Sequence, residues 1–258
     1  MHRPQRGRGI ALALAAVLLA ACATPPPPAQ AIADTAWADA SRLTPASAPW
    51  RGAWEHHPLP GKAQVEFVGV RHDGRPALSA TAASAASVVR KRVRVEPQEL
   101  GRLRFSWNVP QLIDAADLAL RESDDAPVRV ILAFEGDRTR FSPRDAMLSE
   151  LLRALTGEEL PYATLMYVWC NKRPPGSVVS NPRTDRIRKL VLESGPARLG
   201  QWLDYERDVR ADFEHAFGEA PGALVGVAVM TDTDNTRSIA SAFYGPVRHL
   251  PGGAAAGR

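Results

Sequence analysis

Strict alternation of apolar and polar residues between Leu103 and Val109 constrains the fold more than any other feature of the chain. Large apolar side chains occupy every second position, and arginine, serine and asparagine fill the positions between them. Because successive side chains of a strand point to opposite faces, the pattern predicts a strand with one buried face. Residues 128–134 and 162–169 are more continuously apolar, which is typical of central strands covered on both faces.

Similar segments bring the predicted strands to about eight. They are residues 65–70, 93–95, 187–192, 224–230 and 239–244. Two helices are predicted: one begins with a capping box at Ser142 and ends at Gly157, and the other covers 202–217, where large apolar residues recur at helical spacing. Many strands with few helices predict a mainly β protein, a β-sandwich of the jelly-roll, galactose-binding-like kind with one or two helical insertions.

Residues 1–21 have the three parts of a bacterial lipoprotein signal peptide. Three arginines precede an apolar run from Ile10 to Leu19, which is too short to span a bilayer as a permanent helix. The run leads into Leu-Ala-Ala-Cys22, a lipobox in which the cysteine would be acylated and become the mature N-terminus. Residue Ala23 is not the aspartate that retains many lipoproteins at the inner membrane. We therefore expect a lipid-anchored envelope protein, on the outer membrane and facing the periplasm.

Removing the signal changes what the charge of the chain implies. The whole chain has 32 basic and 28 acidic residues, but three of the basic ones lie in the signal. The mature chain is therefore close to neutral, which removes the main support for a nucleic-acid partner. Apart from Cys22 the chain has one cysteine, Cys170, so neither an internal disulfide nor a cysteine metal cluster is expected.

Composition divides the mature chain into three parts. Residues 22–49 are rich in proline and alanine and predict a tether that starts at lipidated Cys22. Residues 50–250 are predicted to form a single domain, and residues 251–258 a flexible tail.

Motifs of established catalysis do not occur in the sequence. There is no H-E-x-x-H or H-x-x-x-H spacing, no G-x-S-x-G elbow, no P-loop and no dinucleotide-binding glycine pattern. A hydrolase that uses a pair of carboxylates remains open, because the chain has many acidic residues and none of their spacings singles out a pair.

A first candidate site precedes the apolar strand at 128–134. Asp124 and Asp125 are adjacent, so they point different ways and only one of them can easily face Arg129. Such a carboxylate–guanidinium pair could fix a ligand hydroxyl or a cation. It could equally be an aspartate-capped turn stabilised by an ion pair.

A second candidate is the acidic loop at Asp232, Asp234 and Asn235. These residues offer the hard oxygen donors that calcium uses, but an EF-hand would need glycine at Arg237 and glutamate at Phe243. A simpler calcium site, completed by oxygens from elsewhere, stays open beside the alternative of a tight hairpin turn.

Further candidates lie in the segment 202–213 and among the aromatic residues. Arg207 and Asp208 could fix a charged or hydroxylated ligand, although a solvated helix face explains them as well. Most tryptophans are expected in the core, and Tyr244, just before Gly245, is predicted to be the exposed stacking ring.

Several of these segments together resemble one family. They are D-D-x-x-x-R-V from Asp124, Tyr-Val-Trp ending at Trp169, W-x-x-x-x-R-D-V from Trp202, and T-D-T-D-N-T from Thr231 with a later Tyr-Gly. They resemble the bacterial secreted and lipoprotein family known as domain of unknown function 3047. The resemblance spans roughly residues 65–247 and implies a domain and a compartment, but no reaction. Pro246 departs from the pattern, since an acidic residue is expected there.

Taken together, the sequence predicts a membrane-anchored β-sandwich that binds a carbohydrate-like or other envelope ligand without catalysis. Two alternatives stay open. One is a hydrolase acting on glycan or cell-wall material, and the other is a structural or assembly lipoprotein that would show a large exposed apolar patch.

Overall fold

The computed structural model describes residues 32–43 and 52–252. The signal peptide, Cys22 and its acylation, most of the predicted tether and most of the predicted tail lie outside the described residues.

The described residues are mainly β, with three α-helices. The helices are α1 Ala36–Ala40, α2 Pro143–Thr156 and α3 Val209–Phe217. The strands are β1 Glu55–Pro58, β2 Glu66–His72, β3 Arg75–Ala83, β4 Ala86–Val95, β5 Arg102–Asn108, β6 Ala126–Phe134, β7 Ala163–Cys170, β8 Val178–Asn181, β9 Thr184–Ser194, β10 Trp202–Asp208, β11 Leu224–Asp232, β12 Ile239–Tyr244 and β13 Arg248–Leu250. No helix in this part of the chain has both the length and the apolar character needed to cross a bilayer.

The strands form two packed sheets. The seven-stranded sheet has the order β1-β4-β11-β6-β7-β9-β8, and the six-stranded sheet has the order β10-β5-β12-β3-β2 with β13 beside β5. Every pair is antiparallel except β7 and β9. The prediction of a mainly β sandwich with helical insertions is confirmed.

The core lies between the two sheets, and the alternation in β5 supplies much of it. Leu103, Phe105 and Trp107 are all buried. The ring of Phe105 stacks on that of Tyr167 in β7, with ring centroids 5.3 Å apart. The polar residues between them therefore face outward from the six-stranded sheet.

The outer face of the seven-stranded sheet is partly covered by the loop between β5 and β6. Leu118 of this loop packs with Val168 and Val191 in a small apolar cluster on that face. Polar residues that point outward from neighbouring strands are consequently buried there. Because of this cover, the predicted ligand residues Asp124, Arg129 and Asp232 are buried.

The predicted helix over 202–217 is wrong in its first half, where β10 pairs with β5 along its whole length. Leu203 and Tyr205 pack inward and Trp202 and Asp204 alternate with them, so the segment has the period of a strand. Large residues at three- and four-residue intervals resembled a helix because the pattern runs across a strand–helix junction. The helix α3 begins only after Asp208.

Residues 32–43 belong to the folded domain, which corrects the predicted extent of the tether over 22–49. Trp37 of α1 is fully buried, packs on Trp54 with ring centroids 4.7 Å apart, and donates a hydrogen bond to the Gly245 carbonyl at 2.9 Å. Ile32 and Leu43 are buried in the same core. The high alanine content of the segment concealed these anchors.

Candidate functional site

The two acidic segments proposed from the sequence meet in space, but inside the protein. Asp124 and Asp125 precede β6, Arg129 lies within it, and Asp232 ends the neighbouring strand β11. All four side chains are buried, with at most 5% of any residue exposed. We call these four residues and Lys189 the buried polar cluster.

Arg129 is the centre of the cluster. Its Nε and Nη2 donate to the two carboxylate oxygens of Asp232 at 3.0 and 3.1 Å. Nη2 also donates to the carbonyl and carboxylate oxygens of Asp124 at 2.8 and 3.1 Å. Burial alone would lower the pKa of Arg129, but the carboxylates of Asp232 and Asp124 outweigh it and raise that pKa. The guanidinium is thus permanently charged and bound on both sides by carboxylates.

Lys189 of β9 completes the cluster and was missed from the sequence. Its ammonium group donates to Asp124 Oδ2 at 2.5 Å and to the Leu118 carbonyl at 2.7 Å. Burial, with Arg129 nearby, lowers the pKa of Lys189 to about 8. Lys189 lies in an arginine-rich stretch of β9, and nothing in its sequence context distinguishes it from a surface lysine.

Asp124 is the one of the two adjacent aspartates that binds Arg129, and Asp125 binds the acidic loop instead. Its carboxylate accepts hydrogen bonds from the backbone and side chains of Asn235 and Thr236, at distances between 2.6 and 3.2 Å. The loop is not a hairpin turn, which corrects that alternative. It carries the chain from β11 in one sheet to β12 in the other.

Three carboxylates of this region come close enough to share a cation. Asp125, Asp232 and Asp234 each place one oxygen within 4.8 Å of the others. The oxygens are already used, however, because Asp232 binds Arg129, Asp125 binds the loop, and Asp234 pairs with Lys62. A metal ion would have to displace these partners, so the geometry favours the structural reading of Asp232, Asp234 and Asn235 over the calcium reading.

The buried carboxylate of Asp232 remains ionised at neutral pH. Burial raises its pKa to about 6, against the lowering effect of Arg129 and of the Ala126 amide that also donates to it. Removing such a pair from water costs about as much free energy as the pairing returns, so the intact cluster adds little net stability, whereas removing one partner of a buried pair is strongly destabilising.

Tyr244 is buried rather than exposed, which corrects its prediction as a stacking ring. Only 1% of the residue is accessible. Its hydroxyl donates to the Met230 carbonyl at 2.5 Å and lies 3.0 Å from the Thr231 hydroxyl. Burial raises the pKa of this phenol, so it acts as a neutral hydrogen-bonding group that ties β12 to β11.

Arg207 and Asp208 do not join the cluster. Within the described residues, Arg207 forms a bidentate pair with Asp212, which also accepts a hydrogen bond from the Tyr167 hydroxyl at 2.9 Å. Asp208 caps α3, because its carboxylate accepts the Ala211 amide at 2.9 Å. Both residues fasten the β10–α3 junction.

An aromatic patch lies on the outer face of the six-stranded sheet. Trp202, His72 and Phe243 are half-buried there, and we call these three residues the aromatic patch. The rings of His72 and Phe243 are parallel, 3.6 Å apart, and the Trp202 ring lies 5.8 Å from that of His72. The guanidinium of Arg75 lies over Trp202, 5.3 Å from the ring centroid.

A polar cavity of about 460 Å³ adjoins the patch. Arg75 donates to both oxygens of Asp204 at 2.8 and 3.0 Å, and Arg104 pairs with Glu206. The first pair is well exposed, with 43% of the Arg75 side chain and 65% of the Asp204 side chain accessible. Pro246, the departure from the family pattern, also lines this cavity.

A second cavity, of about 510 Å³, lies across the open part of the outer face of the seven-stranded sheet. Its floor includes Ile131, Gly226 and Ala228. On one wall, Arg90 donates two hydrogen bonds to the carboxylate of Glu158, at 2.5 and 2.6 Å. The floor carries no aromatic ring, and the arginine is already neutralised. This cavity therefore has fewer groups that could bind a polar ligand than the cavity beside the aromatic patch.

One comparison with known proteins decides the family. The sequence pattern of the family described as "Protein of unknown function (DUF3047)" matches residues 52–248. The chain belongs to this family. No curated protein sequence matches the chain significantly.

Solved structures similar to this DUF3047 chain are distant. A family 11 carbohydrate-binding module of a cellulosomal cellulase of Clostridium thermocellum is 7% identical, with a TM-score of 0.37, over 77% of this chain and 88% of that one. The xyloglucanase domain of NopAA, a type three effector from Sinorhizobium fredii, is 9% identical, with a TM-score of 0.39, over 78% of this chain and 94% of that one. Likenesses at this level assign this chain no ligand and no activity.

The segments by which the DUF3047 family is recognised in this sequence are largely structural. Asp124, Arg129 and Asp232 form the buried polar cluster, and Arg207 with Asp208 secures α3. Asp208 of these segments is exposed, and Trp202 is a half-buried aromatic ring on the outer face of the six-stranded sheet. It lies there with His72 and Phe243, which were not singled out from the sequence.

Proposed function

We propose that the folded domain is a non-catalytic module that binds a glycan on the outer face of its six-stranded sheet. The observation that carries this proposal is the aromatic patch beside an exposed arginine–aspartate pair. Sugars present an apolar ring face as well as hydroxyl groups, so their sites combine aromatic rings with a few well-placed polar groups.

The Arg75–Asp204 pair suits the hydroxyl groups. A hydroxyl both donates and accepts hydrogen bonds. A guanidinium and a carboxylate held side by side can therefore bind two neighbouring hydroxyls, one as donor and one as acceptor. The cavity is lined by three basic side chains and two acidic ones: Arg75, Arg104 and Arg248, and Asp204 and Glu206. This near balance of charge favours uncharged sugar units over a polyanion.

The chemistry of the carboxylates favours binding over hydrolysis. A glycosidase needs a carboxylic acid with a raised pKa as proton donor beside an ionised partner. At this cavity, hydrogen bonds from Arg102 and Arg104 lower the pKa of Glu206. Among the described residues the carboxyl group with a raised pKa is Asp232, which is buried out of reach of a ligand.

The proposal includes attachment to the outer membrane, facing the periplasm, through acylated Cys22. The support is the signal sequence with its lipobox. Labelling cells with a radioactive fatty acid should mark the protein, and Cys22→Ser should abolish the label. Equal labelling of both chains would contradict the attachment.

A glycan array probed with the domain tests the binding function. We expect one class of glycan to bind, and Trp202→Ala to weaken that binding by about tenfold or more through loss of the ring surface. Trp202→Phe keeps a ring and should retain most of the affinity. Ile239→Ala, at an exposed position of the same sheet face, should leave it unchanged. Absence of any glycan ligand, or equal binding by Trp202→Ala, would refute the proposal.

A further inference from the structure

Helix α2 is oriented with its polar side inward and an apolar side outward. Asp145 and Ser149 are buried, whereas Met147, Leu151 and Leu155 are 68%, 54% and 66% exposed. The three exposed side chains recur every four residues and therefore form one row on the helix. We call them the apolar stripe of α2.

Specific polar contacts fix this orientation. Asp145 accepts hydrogen bonds from the Ser142 hydroxyl at 2.7 Å and from the Thr184 hydroxyl. The Ser149 hydroxyl accepts the Leu160 amide at 3.2 Å. A helix held by satisfied buried polar groups cannot roll to hide its leucines without breaking these bonds. The buried hydrogen bonds of α2 therefore keep the apolar stripe exposed to solvent.

Positive charge borders the stripe at its N-terminal end. With 100° between successive residues, Arg144 lies on the same helix face as Leu151 and Leu155. Its guanidinium contacts the Pro182 carbonyl at 3.4 Å, which places it beside Arg183. In the described part of the chain neither arginine pairs with a carboxylate. The nearby exposed acid of the helix, Glu150, is paired with Arg153.

The size of the stripe argues against a stable protein partner. Eight residues separate Met147 from Leu155, a rise of about 12 Å along the helix. A stable protein interface needs about 800 Å² from each partner. Three side chains in one row fall well short of this, but they suit shallow insertion between lipid headgroups, where apolar residues and arginines act together.

We infer that α2 is a membrane-contacting element. Met147, Leu151 and Leu155 insert into the interface of a phospholipid bilayer, and Arg144 and Arg183 bind the phosphates of anionic lipids in it. This contact is independent of the glycan site, which lies on the six-stranded sheet, and independent of acylation at Cys22.

A fluorescent label on the stripe tests the contact directly. In the mature chain, residues 22–258 carrying Cys22→Ser and therefore without the apolar run of the signal, an environment-sensitive dye is attached to Leu151→Cys, or to Ile239→Cys as an exposed control. Cys170 is buried and should not react. With vesicles of phosphatidylcholine and phosphatidylglycerol, we expect a blue shift at position 151 and none at 239. With phosphatidylcholine alone, the shift at 151 should be smaller.

Two sets of substitutions separate the parts of the proposal. Met147→Ser with Leu155→Ser changes exposed positions only, and should reduce partitioning to the mixed vesicles by about tenfold. Arg144→Gln with Arg183→Gln should remove the difference between the two kinds of vesicle. An unchanged spectrum at 151 with both vesicles would overturn the inference. So would an equal shift at 239, or a shift that follows protein concentration without vesicles, which would indicate a second copy of the chain.

Discussion

Arg129 joins three parts of the chain from inside the fold. It binds Asp232 at the end of β11 and Asp124 in the loop that covers the seven-stranded sheet. Removing Arg129 would leave the Asp232 carboxylate without its charged partner in a buried place. The residues with the strongest chemistry in the sequence therefore determine the fold rather than contact a ligand.

Replacing Arg129 tests this role. Arg129→Met should lower the free energy of unfolding by about 3–5 kcal/mol, because Asp232 loses its charged partner in a dry interior and Asp124 keeps only Lys189. Urea unfolding followed by circular dichroism measures the change. Arg102→Met, which removes an arginine paired with Glu206 at the surface, is the control and should shift the urea midpoint little. Equal effects of the two substitutions would contradict the buried role.

Glu158, which pairs with Arg90 and Arg92, contributes to the loss of stability at low pH. Hydrogen bonds from Arg90 lower its pKa from 4.5 to about 2. Since the unfolded chain takes up this proton at higher pH than the native one, the stabilisation is complete above pH 4.5 and is lost as pH falls towards 2.

Comparison of the chain with Glu158→Gln across this range measures the effect. The Glu158 side chain is 35% exposed, so we expect an advantage of the order of 1 kcal/mol or less at pH 6. The advantage should shrink towards pH 2. If the stability of the chain relative to Glu158→Gln increased as the pH falls, a lowered pKa of Glu158 would be contradicted.

At the level of elements, the junction of β10 and α3 shows what sequence periodicity resolves and what it does not. That only one of the adjacent residues Asp124 and Asp125 faces Arg129 was predictable, although both lie in the loop before β6 rather than in the strand. The strand character of residues 202–208 was hidden, because Trp202, Tyr205 and Val209 share helical spacing by coincidence. With β10 unrecognised, nothing in the sequence could place Trp202 on an outer face.

The same difficulty affects β12. Its inward positions include the small residues Ala240 and Ala242, while Ile239 and Phe243 face outward. A prediction from side-chain size alone places the large residues in the core and therefore misses the aromatic patch. Pairing with β3 and β5 settles the direction, and that pairing is a tertiary property.

Asp208 provides the test at this scale. Asp208→Ala should lower the free energy of unfolding by about 1 kcal/mol, because the first turn of α3 loses its cap. Asp208→Asn can still accept the Ala211 amide and should lose little. Thermal unfolding separates the two variants, and equal losses would mean that the charge rather than the cap matters.

On the scale of the whole molecule, the sandwich includes residues 32–43, which their composition had assigned to the tether. Alanine-rich residues 32–43 place Trp37 in the core between Trp54 and the end of the six-stranded sheet. Alternation located the central strands correctly, because their apolar faces are long. A single buried tryptophan in a short helix leaves no comparable pattern.

Trp37→Ala should therefore lower the free energy of unfolding by about 3–5 kcal/mol through loss of a buried ring. Leu120→Ala, at a residue that is 54% exposed, is the matched control and should change it little. If Trp37→Ala were as harmless as the control, residues 32–43 would not be part of the folded domain.

We expect the glycan to bind at the aromatic patch and not at the acidic loop. Nuclear magnetic resonance of the isotope-labelled domain, titrated with the glycan selected on the array, tests it most directly. We predict that the signals of His72, Trp202, Asp204 and Phe243 move together with one dissociation constant. Changes confined to the signals of the loop at 232–236, or of the cavity around Arg90 and Glu158, would contradict binding at the aromatic patch.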